Sequence, residues 1–230
     1  MPSPRASQCD DGPGPNSAIK LVIFDCDGVL IDSEPIANRV FRDLLESAGL
    51  RLSLEQVMET FVGNTKDGCI ALAGSMLGRP LPSDFGKRWD KALFAALRAV
   101  KPVAGVPELL AGMKVPFCVA SNGNPDRMAL ALDYAGLMPW VRGKLFTASE
   151  VAQPKPAPDL FLHAAKSMGA APSECAVVED TPTGVRAAVA AGMAVFGFAA
   201  APHIPAQKLR DEGATTFTSM SELPALLERA

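Results

Sequence analysis

The chain has 230 residues, 48% of them hydrophobic and 20% charged, with a net charge of −3. One core of that size buries roughly 70% or more of the unfolded surface and needs no staples, while the slight acidity offers no footprint for nucleic acid or anionic lipid. Five scattered cysteines without a CxxC pair predict neither a disulfide framework nor a zinc site, and two histidines without a GxSxG elbow argue against Ser-His or Cys-His catalysis. No apolar run approaches the roughly 18 residues of a membrane span.

Residues 1–17 are rich in Pro, Gly, Ser and Asp and lack an apolar h-region, so they read as a disordered tail and not a secretory signal. An apolar segment follows at 19–24, broken only by Lys20, as in a strand buried on both faces. It ends in the acid-rich DCDGVLIDSEP, where either a cation gathers Asp25 and Asp27 or a polar turn simply follows a strand. Residues 36–100 read as helical. Val40, Phe41, Leu44, Leu45 and Ala48 form one stripe closed by Gly49, and Phe85, Trp89, Leu93 and Leu97 recur every fourth residue.

From Lys101 the pattern alternates. Strands are expected at 116–121, 144–149, 175–180 and 193–198, with helices at 125–135, 158–168 and 181–191. Strands and helices of these lengths predict a parallel sheet covered on both faces. The division expected is a tail at 1–17, an α/β core of 18–34 and 101–230, and a helical block of 35–100 inserted after the first strand.

Open parallel sheets bind ligands beyond the carboxyl ends of their strands. Those ends bring Asp25 and Asp27, Ser121 and Asn122, and Glu179 and Asp180 to one edge, with Lys155 in the preceding QPKPAPD loop. Carboxylates next to a lysine and a hydroxyl suit a divalent cation holding a phosphate. Magnesium takes carboxylate oxygens, water and substrate phosphate. Two like charges 4 Å apart repel by about 4 kcal/mol at an effective dielectric near 20, so an unassisted carboxylate would attack a phosphate poorly. Each residue alone has a plainer reading: Ser121 as a turn, Lys155 as a solvated loop residue, Glu179-Asp180 as a cap for the helix near Thr181. Capping and metal binding do not exclude each other.

Taken together, DCDGVLIDSE, the Ser121 strand end, the KP of Lys155 and VEDTPTGVRAA resemble, in order, the four motifs of the haloacid dehalogenase-like superfamily. Within it the chain is similar to the β-phosphoglucomutase-like branch. The fold implied is a Rossmann-like doubly wound parallel sheet with an inserted α-helical cap. The resemblance implies Asp25 as nucleophile and Asp27 as acid and base. It assigns magnesium to Asp25, Asp27 (backbone carbonyl) and Asp180, with Glu179 in or just behind that shell. Ser121 and Lys155, helped by Asn122, would bind the phosphoryl group.

In the cap, FVGNTKDGC (61–69) is the loop expected to face the site, which makes Gly63, Asn64 and Lys66 candidate substrate contacts, with Glu34 at the linker. His163 and His203 read as structural and loop residues. The chain departs from the mutase pattern at Ala37 and Val62, where mutases carry a histidine and a lysine. The expectation is therefore a magnesium-dependent cytoplasmic monomer that hydrolyses small sugar phosphates, 6-phosphogluconate being a candidate. A sugar phosphomutase and a non-catalytic phosphate-binding module are the alternatives, and neither a nucleic-acid nor a membrane partner is expected.

Overall fold

The computed structural model describes residues 18–61, 64–200 and 205–230. Its elements in chain order are β1 (Leu21–Phe24), α1 (Glu34–Ser47), α2 (Leu54–Phe61), α3 (Lys66–Leu77), α4 (Phe85–Ala96), α5 (Val106–Gly112), β2 (Phe117–Ser121), α6 (Pro125–Tyr134), α7 (Met138–Val141), β3 (Leu145–Thr147), α8 (Asp159–Ser167), β4 (Cys175–Glu179), α9 (Pro182–Ala190), β5 (Ala194–Phe198), α10 (Ala206–Asp211), β6 (Thr215–Phe217) and α11 (Leu223–Leu227). The six strands form one parallel sheet in the order β3-β2-β1-β4-β5-β6. The strands and helices read from the sequence are present, within a residue or two for most. β3 is three residues where six were expected, and β6 was not foreseen, because TTF is too short to show a period.

Alternation along β1 explains why its whole run is apolar. Val22 and Phe24 enter one core with Val119, Val178 and Phe198. Leu21 and Ile23 enter the opposite core with Cys118, Val177 and Val195. Both faces are covered, so no polar position is tolerated; each such side chain contributes about 1.5–3 kcal/mol on burial. The cysteines Cys118 and Cys175 sit in the second core as packing residues.

Strand register sets the level of the site. Phe24 pairs with Val119 on one side and Val178 on the other, so Asp25 emerges level with the last residues of β2 and β4. The chain then makes a tight turn at Gly28, whose φ is +80°, and runs to α1. It returns after α4 alongside its own exit: Asp32 N–H donates to the Lys101 carbonyl at 3.0 Å, and Val103 N–H to the Leu30 carbonyl at 3.0 Å. The helical block thus leaves and re-enters the sheet region at one place.

That block has its own core of Phe41, Leu45, Val57, Phe61, Cys69, Ala73, Leu81 and Phe85. Phe41 is the hub. It meets Phe61 and Phe85 edge-on at 5.0 and 6.3 Å between ring centres and stacks on Trp89 at 4.1 Å. Aromatic pairs of this kind add about 0.5–1.5 kcal/mol beyond their area. Phe41→Ala is expected to lower the unfolding free energy by about 3–5 kcal/mol in urea titrations. A loss below about 1 kcal/mol would show that the aromatic cluster does not hold the helices together.

Candidate active site

The sheet's carboxyl edge gathers the predicted acids around one lysine. Lys155 is 6% exposed, and its Nζ donates to Asp25 Oδ1 at 2.5 Å, Glu179 Oε1 at 2.8 Å and the Ala120 carbonyl at 2.8 Å. The ammonium also lies 4.5 Å from the Phe161 ring centre, a cation–π contact. Its backbone is clasped by Asn122, whose Oδ1 accepts from Lys155 N–H and whose Nδ2 donates to the Lys155 carbonyl, both at 3.0 Å. Asn122, expected at the phosphate, is thus committed to fixing the Lys155 loop.

Glu179 faces inward. Its Oε2 accepts from Asp180 N–H, Thr181 N–H and the Thr181 hydroxyl at 2.9–3.0 Å, while Oε1 takes Lys155. Both oxygens are occupied by protein donors. Thr181 Oγ1 then accepts from Gly184 N–H at 3.1 Å, capping α9. Gly184 is required: a Cβ there would lie 1.7 Å from Glu179 Oε1. Gly28 plays the same part for Asp180, a Cβ there falling 2.0 Å from Oδ2.

Burial dominates the electrostatics. It pushes the Asp25 carboxyl up to about 7; Lys155 opposes the rise, and Glu179 and Asp27 add to it. Asp180 is driven well above the usual carboxylate range by burial, then by Glu179, Asp25 and Glu34. Burial alone would lower Lys155, but Asp25 and Glu179 outweigh it and hold the ammonium charged. Between the two aspartates, Cys26 is fully buried, and its thiol is raised by desolvation and then by Asp27 and Asp25. It packs as a small hydrophobe and is no nucleophile.

Asp27 stands on the open side. Its Oδ1 accepts from the Ser33 hydroxyl at 2.6 Å, and its Oδ2 from Arg127 at 2.8 Å. Ser121 is buried, and its Oγ accepts from Gly123 N–H at 3.1 Å, leaving the hydroxyl proton for a ligand. Neither Ser33 nor Arg127 was foreseen. Arg127 comes from a helix 100 residues further along, and no local pattern marks such a partner.

Asp180 Oδ1 is buried without a hydrogen-bond partner among the described residues, which a native fold rarely tolerates. Among the described residues no group of three or more His, Cys, Asp or Glu side chains is arranged to hold a metal. A cation here would have two carboxylates, Asp25 and Asp180, and would complete its shell from the Asp27 backbone carbonyl and water. Magnesium accepts that kind of sparse, hard-oxygen shell, so the donor set fits it.

The candidates expected in the helical block divide. Gly63 lies outside the described residues. Lys66 begins α3 and is paired with Asp90 of α4 at 2.6 Å to both oxygens, so it ties two helices together. Asn64 lines a cavity of about 210 Å³ with Glu34, Asn38 and Trp89. Of the histidines, His163 packs edge-on against Phe146 and meets Glu150 at 3.4 Å; His203 lies outside the described residues.

The family model for haloacid dehalogenase-like hydrolases matches residues 19–192, and the chain belongs to that family: it is a hydrolase built on this sheet. It is 32% identical to the 6-phosphogluconate phosphatase of Escherichia coli over 91% of its own length and 95% of the relative's. A haloacid dehalogenase-like protein of unknown function from Agrobacterium tumefaciens superposes with a TM-score of 0.83 at 37% identity, covering 92% of this chain and 99% of that one. A hydrolase of the same family from Deinococcus radiodurans, solved with phosphate and sodium bound, gives 0.80 at 34% identity, with coverages of 92% and 96%.

Gly184→Ala forces Glu179 off Lys155. It is expected to cost about 1–3 kcal/mol of stability by overpacking and to lower turnover with it. Gly112→Ala, where an added Cβ meets nothing within 4 Å, should change stability by less than about 0.5 kcal/mol in the same denaturation assay.

Proposed function

We propose that the protein is a magnesium-dependent phosphatase of small sugar phosphates, acting through an aspartyl-phosphate on Asp25. The observation that carries this reading is the meeting of Lys155 with Asp25 and Glu179 beside the partnerless Asp180 oxygen. The E. coli relative's name supports a phosphorylated sugar acid or sugar as the substrate class, and 6-phosphogluconate is one candidate.

In this reading the phosphorus atom meets Asp25, with Lys155 and Ser121 beside the phosphoryl oxygens. The Asp25 carboxylate oxygen forms the bond to phosphorus as the ester P–O bond breaks, and Asp27, acting in its protonated form, gives that proton to the departing sugar oxygen and is left as a carboxylate. Asp27 then takes a proton from the water that attacks the phosphorus; the Asp25–phosphorus bond breaks, and inorganic phosphate leaves. Lys155 offsets charge on the phosphoryl oxygens and Ser121 donates to them, the preorganised part of the site. Ser33 and Arg127 hold the Asp27 carboxylate in place. Glu179 anchors Lys155 and the Asp180 loop. Magnesium, held by Asp25, Asp180 and the Asp27 carbonyl, would supply Lewis acidity and neutralise charge between carboxylate and phosphate.

The helical block of residues 35–100 acts as the cap in this reading, with 18–34 and 101–230 as the core. Ala37 lines the cap-side cavity, where the mutases resembled carry a histidine. The aspartyl-phosphate is therefore left to water, and hydrolysis is favoured over transfer. No helix among the described residues is long and apolar enough to cross a membrane.

Phosphate release from a panel of sugar and sugar-acid phosphates tests the reading. Activity should need magnesium and disappear with a chelator. Asp25→Asn should fall to background, and Asp27→Asn by about 10²–10⁴-fold. A magnesium-loaded protein inert towards every small phosphomonoester, or an active Asp25→Asn, would overturn it.

A further inference from the structure

We propose that Arg127 is a positioning residue for the proton transfers of Asp27: by holding Oδ2 throughout, it leaves Oδ1, the oxygen that Ser33 touches, to give and take the proton. The inference rests on the phosphatase reading above and deepens it by dividing the work between the two oxygens of one carboxyl group.

The two contacts differ in kind. Arg127 Nη2 donates to Asp27 Oδ2 at 2.8 Å, and a guanidinium offers N–H donors but no acceptor. A proton placed on Oδ2 would find no acceptor on the arginine, and it would weaken the charge-assisted bond that the bare oxygen makes. The Ser33 hydroxyl lies 2.6 Å from Oδ1, and a hydroxyl both donates and accepts. It donates to Oδ1 when that oxygen is bare and turns to accept when Oδ1 carries a proton. That side of the carboxyl group therefore keeps its hydrogen bond in either form.

Both partners are held in place by the fold. The Arg127 and Asp27 side chains are 24% and 31% exposed, and Ser33 is buried. Arg127 stands in the first turn of α6, where its own N–H donates to the Asn124 side chain at 3.0 Å, so the turn from which it reaches is capped. Gly123 leaves it room: a Cβ there would lie 3.0 Å from Arg127 Nη2 and 3.3 Å from Ser121 Oγ. Ser33 makes no side-chain cap bond to α1, and its hydroxyl goes to Asp27 instead. In the first half of the reaction the proton on Oδ1 passes to the ester oxygen as the P–O bond breaks, leaving a carboxylate and an alcohol. In the second, the attacking water gives a proton to Oδ1 while its oxygen bonds to phosphorus and the Asp25–phosphorus bond breaks. Oδ2 stays on Arg127 through both halves, so the carboxyl group need not swing between them.

Arg127→Gln removes the charge and the fork. Its test uses the sugar phosphate hydrolysed fastest in the phosphate-release panel and acetyl phosphate, whose acetate leaves without a proton. On the sugar phosphate, kcat/KM covers the steps up to alcohol release. It is expected to fall about ten- to hundredfold there and to change less than about threefold on acetyl phosphate. By contrast, kcat should fall on both, because Oδ1 must still take a proton from water. Ser33→Ala should sort the two substrates in the same way, and Ser33→Thr, which keeps the hydroxyl, should recover most of the loss. A general loss of packing would give neither pattern. Equal losses of kcat/KM on both substrates, no loss on the sugar phosphate, or a Ser33→Thr as poor as Ser33→Ala would overturn the proposal and leave the phosphatase reading standing. A wild type inert towards every ester overturns both. Where Arg127→Gln does not fold, or acetyl phosphate is not turned over, the Ser33 pair decides on the sugar phosphate alone.

Discussion

The arrangement turns on an imbalance of buried charge. Among the described residues the buried ionisable acids and bases are Asp25, Glu179, Asp180 and Lys155, all at one edge of the sheet. Fully ionised, they set three carboxylates against a single ammonium. Burying even one unpaired charge is costly, and proteins usually neutralise it by shifting its titration or pairing it. Here the aspartates are pushed towards their neutral forms, and Asp180 keeps an oxygen with no partner. The deficit amounts to two positive charges, which is what a divalent cation brings. The same deficit would repel a phosphate dianion, so whatever balances it also opens the site to substrate.

Holding such a cluster together demands backbone more than side chains. Asn122 grips the Lys155 loop from both sides, Thr181 stitches the turn after β4 to Glu179, and Gly28 and Gly184 give up side chains so that carboxylates can pass. These residues need not touch a ligand. They fix where the acids and the lysine stand, and preorganised charge is what such sites use to stabilise a transition state. On the open side the logic differs. Asp27 is held by Ser33, which occupies the N-cap position of α1 yet spends its hydroxyl on Asp27 and not on the helix. The acid is thus bonded to the segment through which the helical block is attached, so the orientation of Asp27 and the seating of α1 are mechanically linked.

Much of this was legible in the sequence because the sheet writes its own pattern. Strands buried on both faces appear as unbroken apolar runs, and residues at their carboxyl ends must lie at one edge, so Asp25, Ser121, Glu179 and Asp180 could be brought together before any coordinates. Lys155 was placed at that edge from its loop, and the resemblance gave it a partner in the motif set, since a loop lysine between prolines carries no period. What stayed hidden are contacts made across long separations. Arg127 sits in an ordinary polar position of α6, and its reach to Asp27 depends on how that helix packs. Glu179 and Asn122 were placed in the right neighbourhood with roles that geometry alone could refine: each is turned towards Lys155 and its loop.

The helical block shows the same limit from the other side. The fourfold repeat of Phe85, Trp89, Leu93 and Leu97 correctly puts Trp89 on an apolar stripe, and its ring does stack on Phe41. Hydrophobic periodicity, however, locates a side chain's apolar body and says nothing about a polar atom at its edge. An indole can satisfy the pattern fully while leaving a buried donor unspent beside a cavity. Lys66 illustrates the converse: its charge suggested a ligand, but Asp90, 24 residues further along in another helix, pairs with it. Polar groups in this helical block are therefore best sorted by whether the fold has consumed their hydrogen-bonding capacity, since only the unspent ones are left to recognise a ligand.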